Sequence, residues 1–321
     1  MKFYKNTSKI SLAILAFSLT LPVFAKDVDE KLSVSNNANI SIDNLRGEVV
    51  VKGTDTNEVW VVGKLDEKAT DFIFKAEGDN VIIQVKMPSN MNSSFWDNDE
   101  QETDLVIEVP HGSKVQFQGV SSDITISDIS NDVQARTVSG DVTVDNLAAE
   151  RIDIESVSGD VMSKSLTGRI HLSTVSGDIK DTNSSGNVEY HAVSGDIKAE
   201  STAKEVVANV ISGDLEINLN NVVDAELSSI SGNVDAELEL SDDGLLKMST
   251  VSGNLKLALQ KGVNADIRVD SHAGGRITNQ LTDDKVEKAK YGPHSKLSTQ
   301  TGSGSASVKM STVSGNVKLR F

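Results

Sequence analysis

TVSGDIKDTNSSGNVEYHAVSGDIKAE, Thr174 to Glu200, carries one phrase twice, with Val-Ser-Gly-Asp beginning at Val175 and again at Val193. Along the rest of the chain Val/Ile-Ser-Gly-Asp/Asn recurs, with its glycines at Gly140, Gly159, Gly177, Gly195, Gly213, Gly232, Gly253 and Gly315. The steps between them are 19, 18, 18, 18, 19, 21 and 62, and a degenerate copy, Val120-Ser-Ser-Asp123, places Ser122 a further step of 18 before Gly140. A fixed period of this length is the mark of a repeat architecture in which each unit buries its apolar face only by stacking on its neighbours.

Within each unit the residues alternate, as in Ile170-His-Leu172-Ser-Thr174 and Val188-Glu-Tyr190-His-Ala192. Period-two alternation predicts a strand with one face buried. An apolar residue follows each Gly-Asp or Gly-Asn (Val142, Val161, Ile179, Ile197, Leu215, Val234, Leu255, Val317), so each unit reads strand, corner, strand. Gly168 and Gly186 mark a second corner about half a period away. The expectation is an all-β, single-chain parallel β-helix or β-solenoid with coils of about 18–21 residues, some ten coils and roughly 50 Å long. It is expected to be right-handed, as parallel crossovers are. A β-sandwich is disfavoured because its strands do not repeat one four-residue corner at a fixed interval.

The chain divides into four segments. Residues 1–25 carry Lys2, Lys5 and Lys9, then an apolar run from Ile10 to Phe24, and predict a signal peptide cleaved between Ala25 and Lys26. Residues 26–119 are expected to form N-terminal β coils, with corners at Asn36-Asn37, Asn44–Gly47 and Gly53 and an acidic surface loop at 90–103 that includes Trp96. Residues 120–260 hold the regular repeats. Residues 261–321 are read as C-terminal coils around an insertion at 282–295 with a short helical turn. The long gap from Gly253 to Gly315 is taken as three repeats, with Gly274-Gly275 and Gly302 near corners and Val317–Phe321 as the final strand.

Composition narrows the function. The whole chain is −16, and removing the three leader lysines takes it to −19, which excludes a nucleic-acid footprint. No cysteine is present, so neither a disulfide framework nor a lipidated cysteine is available. After leader removal no transmembrane anchor is expected.

Leu105-Val-Ile-Glu-Val-Pro110 with Gly112, then Val120-Ser-Ser-Asp-Ile124 and the Val-Ser-Gly-Asp run, resembles the bacterial "putative adhesin" family of exported β-strand-repeat proteins, a domain of unknown function. The resemblance spans about Lys31 to Phe321. It implies a β-helix-like solenoid with an envelope or surface role, and it supplies no catalytic residues.

Stacking places Asp141, Asp160, Asp178, Asp196 and Asp214 in one column, continued by Asn233, Asn254 and Asn316. The favoured reading is structural: glycine supplies a positive φ at the corner, and Asp or Asn accepts backbone N–H groups. A calcium column is the competing reading, but the intermediate corners Leu166–Arg169 and Ser184–Asn187 lack the Gly-Gly-x-Gly-x-Asp pattern of calcium solenoids. Two outward columns follow from the period. One runs Gln134, Asp153, His171, Glu189, Val207, Glu226, Lys247, Lys309, and the other Arg136, Glu155, Ser173, His191, Asn209, Ser228, Ser249, Ser311. Asp153, Glu155, His171, Glu189 and His191 form a titratable cluster that would suit a polysaccharide-acting β-helix enzyme. The only aromatic ring in the array, Tyr190, is in the inward register, whereas sugar sites favour exposed aromatic platforms. The five histidines show no metal-ligand spacing, and His171 and His191 fall in different columns. The expected function is a non-catalytic exported cell-envelope protein, periplasmic or at the cell surface, acting as a solenoid scaffold or adhesin-like interaction surface. No cofactor or metal is expected, and the partner is an envelope or surface protein or a glycan. A polysaccharide-acting enzyme and an envelope-stress sensor or signalling component are the alternatives.

Overall fold

The computed structural model describes residues 27–89 and 101–321, so the leader with Ala25 and Lys26, and Trp96 with most of the acidic loop, lie outside the described residues. No helix forms among the described residues. The N-terminal strands are β1 (Asp27–Ser33), β2 (Asn39–Thr54), β3 (Glu58–Lys64), β4 (Asp71–Glu77), β5 (Asn80–Lys86), β6 (Thr103–Pro110) and β7 (Lys114–Ser127). The repeat strands are β8 (Val133–Thr137), β9 (Val142–Asp145), β10 (Ala148–Ser156), β11 (Val161–Lys164), β12 (Thr167–Ser176), β13 (Ile179–Ser194), β14 (Ile197–Ser201), β15 (Glu205–Ser212), β16 (Leu215–Ser231), β17 (Val234–Ser252) and β18 (Leu255–Leu259). The chain finishes with β19 (Ala265–Ser271), β20 (Ile277–Asn279), β21 (Glu287–Lys288), β22 (Ser295–Thr301), β23 (Ala306–Ser314) and β24 (Val317–Arg320).

All 24 strands belong to one continuous sheet wound into a coil. Across the repeats every pairing is parallel, and each strand lies beside its counterpart one period away. Before the corner, Ile152, Ile170, Val188, Val206, Ala225, Leu246 and Val308 stand in register. After it, Val142, Val161, Ile179, Ile197, Leu215, Val234, Leu255 and Val317 do the same. All of these are buried, so the core is a lumen filled by two facing apolar ladders. At about 4.8 Å per strand, the side running from β1 to β20 is roughly 60 Å long, longer than expected because β1 and β3 extend it antiparallel at one end and β20 adds a parallel strand at the other.

Those ends depart from the expected succession of coils. β2 is a genuine coil, paired in parallel with β7 on one side and with β5 and β6 on the other. Beyond it β3 runs antiparallel to β6, β1 antiparallel to β3, and β4 antiparallel to β5. Gly53, near the end of β2, stands beside Asp128, whose carbonyl oxygen a Cβ on Gly53 would meet. At the other end β23 lies between β17 and β19, and β24 between β18 and β20. The stretch from Gly253 to Gly315 therefore does not hold three successive coils: Val308 sits directly beside Leu246, and Val317 to Phe321 is the penultimate position, not the last. The 282–295 insertion contributes no helical turn but the short β21, antiparallel to β22, which itself covers the outer edge of β19. The outermost strands at this end, β20 and β21, are three and two residues long, and short edge strands offer little to a further pairing chain.

The repeated corner also works differently from expectation. Six of the eight corner glycines have no left-handed φ; Gly213 and Gly232, at φ 154° and 157°, do adopt a backbone that favours glycine. What excludes a side chain is the rung beneath. A Cβ on Gly177 would collide with the carbonyl oxygen of Gly159, one on Gly195 with that of Gly177, and the same holds up the stack to Gly315 over Gly253. Those carbonyls accept hydrogen bonds from buried hydroxyls, such as Ser156 Oγ to Gly140 O and Thr174 Oγ1 to Gly159 O, both at 3.1 Å. Left-handed residues instead occupy the opposite corner: Asp128, Asn146, Ser165 and Asn183, with φ between 54° and 61°.

Candidate functional site

Each corner carboxylate is engaged by the rung above it. The backbone N–H of Asp160 donates to Asp141 Oδ1, that of Asp178 to Asp160, and that of Asp196 to Asp178, each at 2.8 Å. Asp214 N–H donates to Asp196 and Asn233 N–H to Asp214, both at 2.7 Å. The ladder begins at Asp123, which accepts from Asp141, and continues through Asn233 and Asn254 to Asn316, which accepts from Arg276. Asn233 Nδ2 also donates to Asp214 Oδ1 at 3.1 Å, so an amide closes the run of acids. These aspartates are exposed along the corner edge.

Beside this row runs an apolar one. Val138, Val157, Val175, Val193, Ile211, Ile230, Val251 and Val313, the first residue of each motif, are exposed by 39% (Val193) to 53% (Ile230). The strand alternation points them outward, because the preceding residues (Thr137, Ser156, Thr174, Thr250, Thr312) take the inward position. The motif alone presents these residues as part of the repeat rather than as an exposed stripe, though their parity within each strand carries that information.

The outward columns stand in the register expected from the period, from Gln134 opposite Asp153 to Lys247 opposite Lys309. They border a groove of about 600 Å³ that includes Arg136, Asp153, Glu155, His171 and Glu189. Asp153 is not an exposed decoration but is 3% exposed. Gln134 Nε2 donates to its carboxylate at 3.1 Å, while Arg151 and Arg136 approach at 3.4 and 3.5 Å. Arg136 also bridges to Glu155 at 2.9 Å.

His171 and His191, in separate columns, converge on one carboxylate. Glu189 lies directly opposite His171 in the strand register, and His191 is two residues further along the same face. His191 Nε2 is 2.7 Å from Glu189 Oε1, His171 Nδ1 is 3.3 Å from Oε2, and the ring centroids are 5.4 Å apart. The hydrogen bond from His191 holds Glu189 below the usual carboxylate range. The spacing i, i+18, i+20, one coil plus a same-face step, is the sequence signal for this group. At the C-terminal end the His272 and His294 rings stack at 5.2 Å, with His294 Nε2 3.3 Å from Asp270.

Inside the lumen Asp181 accepts from Ser163 Oγ at 2.5 Å and from Ser184 Oγ and Tyr190 Oη at 2.6 Å. Burial pushes the Asp181 carboxyl up, against the pull of these donors. Tyr190 is thus an internal partner, not a sugar platform.

A family model described as Toastrack DUF4097 matches residues 37–244, more than half of the chain. The chain belongs to the Toastrack DUF4097 family. The match agrees with the resemblance to "putative adhesin" proteins and with the solenoid described above. Among solved structures, the Toastrack chain is similar to a "putative cell adhesion protein" from Clostridium sporogenes, with 10% identity, 92% of this chain and 99% of that chain covered, and a TM-score of 0.26. It is also similar to a "putative adhesin" from Bacteroides fragilis, with 12% identity, 92% and 97% coverage, and a TM-score of 0.40. No curated protein matches the Toastrack chain.

Proposed function

We propose that this chain is a non-catalytic, adhesin-like interaction module of the cell envelope, exported by its leader, which binds a protein partner along the corner edge. The observation that carries this reading is the pairing of two ladders: eight half-exposed β-branched side chains beside a row of exposed aspartates. An exposed apolar row that recurs in coil after coil, rimmed by polar residues, is the kind of surface that marks an interaction site. The adjoining carboxylates favour a partner surface that presents cationic and apolar side chains together. Rigid backing by the parallel coil keeps the edge straight, so little conformational entropy is lost on docking.

The test is capture from envelope extract by immobilised protein, repeated with the triple variant Val175→Ser, Val193→Ser, Ile211→Ser, alongside cell fractionation. A protein partner that the wild type retains and the triple variant releases, with retention weakened by salt, supports the edge as the binding surface. A partner held equally by both, a glycan in place of a protein, or self-association abolished by the same changes would each overturn it.

The groove of about 600 Å³ favours a second reading, a polysaccharide-acting enzyme. Against it, His191 keeps Glu189 ionised and unsuited to donating a proton, and Asp153 is already held by Gln134 and two arginines. Turnover of an envelope polysaccharide that Asp153→Asn abolishes would decide for the enzyme.

A further inference from the structure

We propose that His171, Glu189 and His191 form a binding site for a single divalent transition-metal ion of the zinc type on the outer face of the solenoid. Two imidazoles and a carboxylate are the donor set such ions prefer, whereas calcium requires oxygen ligands. The donor atoms of the three residues lie within 4.8 Å of one another. Closing them onto one ion at about 2.0–2.2 Å needs only small side-chain rotations. Their backbones need not move, because β12 and β13 fix them in adjacent parallel strands with Glu189 opposite His171. Rigid strands position ligands better than loops do.

A ring nitrogen of each histidine faces the Glu189 carboxylate at 3.3 and 2.7 Å. Metal binding replaces those nitrogen-to-carboxylate contacts with three bonds to the ion. The proton on His171 Nδ1 and on His191 Nε2 leaves or moves to the other ring nitrogen, so each ligand is a neutral imidazole. His171 also stands within 4.8 Å, between ligand atoms, of Asp153 and Glu155, carboxylates already paired with Arg136 and Arg151. In the next coil the column continues to Val207, opposite Glu189, which bounds the site on that side. Three protein ligands leave a coordination position open to water or to a group on a partner.

The test is titration of tag-free protein with Zn²⁺ against a chromophoric chelator, with Ca²⁺ as the control ion. Expected are one Zn²⁺ per chain, no competition by Ca²⁺, and a loss of affinity of at least about 10-fold in His171→Ala and in His191→Ala. Circular dichroism and thermal melting of the variants report the fold, and the histidine ring-nitrogen signals seen by NMR report which nitrogens bind. Zn²⁺ binding that persists in the double variant His171→Ala, His191→Ala would overturn the proposal. So would binding lost instead in His272→Ala, His294→Ala, or the absence of any stoichiometric binding by the wild type.

Discussion

Replacing Gly195 by alanine tests the account of the corner most directly. The new Cβ would collide with the carbonyl oxygen of Gly177 and approach Asp178 Oδ1 to 3.2 Å. Backbone cannot yield here as a flexible side chain could, so the two rungs must separate, at the cost of an overpacked core, about 1–3 kcal/mol. Separation also stretches two hydrogen bonds between those rungs, Ile179 N–H to Asp196 O at 2.9 Å and Asp196 N–H to Asp178 Oδ1 at 2.8 Å, each contributing about 1 kcal/mol. The expected loss is about 3–5 kcal/mol. Gly78→Ala is the matched control, because Gly78 has φ 63° but nothing within 4 Å of its added Cβ, and should cost only the left-handed strain of about 1–2 kcal/mol. Asp196→Asn, which keeps the accepting oxygen, should cost under about 1 kcal/mol. Urea unfolding followed by circular dichroism measures all three, and hydrogen exchange shows whether protection is lost at the rungs flanking Gly195. A Gly195→Ala loss no larger than that of Gly78→Ala would refute the reasoning.

Other outcomes follow from buried polar groups and from the ladder. Asp66→Ala should lose about 3–5 kcal/mol in chemical denaturation, because it leaves Arg46, 1% exposed and paired with Asp66 through Nε and Nη2, as a buried charge without its main carboxylate. Asp181 has a folded pKa raised by burial above its ordinary 3.8. Its contribution to stability is therefore full below pH 3.8 and falls as pH rises through the raised value. Asp181→Asn, which does not titrate, should gain relative to wild type over that window in melts run at successive pH values; a difference independent of pH would contradict this. Thermal melting should be the same in Ca²⁺ and in chelator, since the corner carboxylates already accept backbone N–H groups, and a melting rise specific to Ca²⁺ would restore the cation-column reading.

The repeat makes the parallel coil, its two corners and the outward columns legible, because parallel stacking converts a period in sequence directly into spatial neighbours. The motif marks Gly195 as special, but the cause it suggests is not the one that operates: a φ preference is visible in residue type, whereas a collision with Gly177 depends on how closely two rungs pack. Asp153 illustrates a similar limit. Its outward position follows from alternation, but its burial comes from Arg136 and Arg151, long side chains whose direction no period specifies. Period and parity group His171, Glu189 and His191 on one face, but that both rings turn onto one carboxylate depends on rotamers that no period specifies, diagonal neighbours on adjacent strands being within reach of long side chains. The ends escape the period too, because β23 and β24 pair with strands distant in the chain, and a period detects only succession.

The placement of β23 and β24 sets the order in which the molecule can be completed. Residues 265–301 precede them along the chain yet lie outside them in the stack, so the gap between β17 and β19 stays open until residues 306–320 arrive to fill it. An ordinary repeat array can be shortened from its end one unit at a time. Here removal of the chain from Ala306 onward would take out an interior layer, strip a partner from each of β17, β18, β19 and β20, and leave the cap of β19 and β22 held only by its connection to the chain. The terminal residues thus act as a keystone, and assembly of this end is all-or-none in a way that its repetitive sequence conceals.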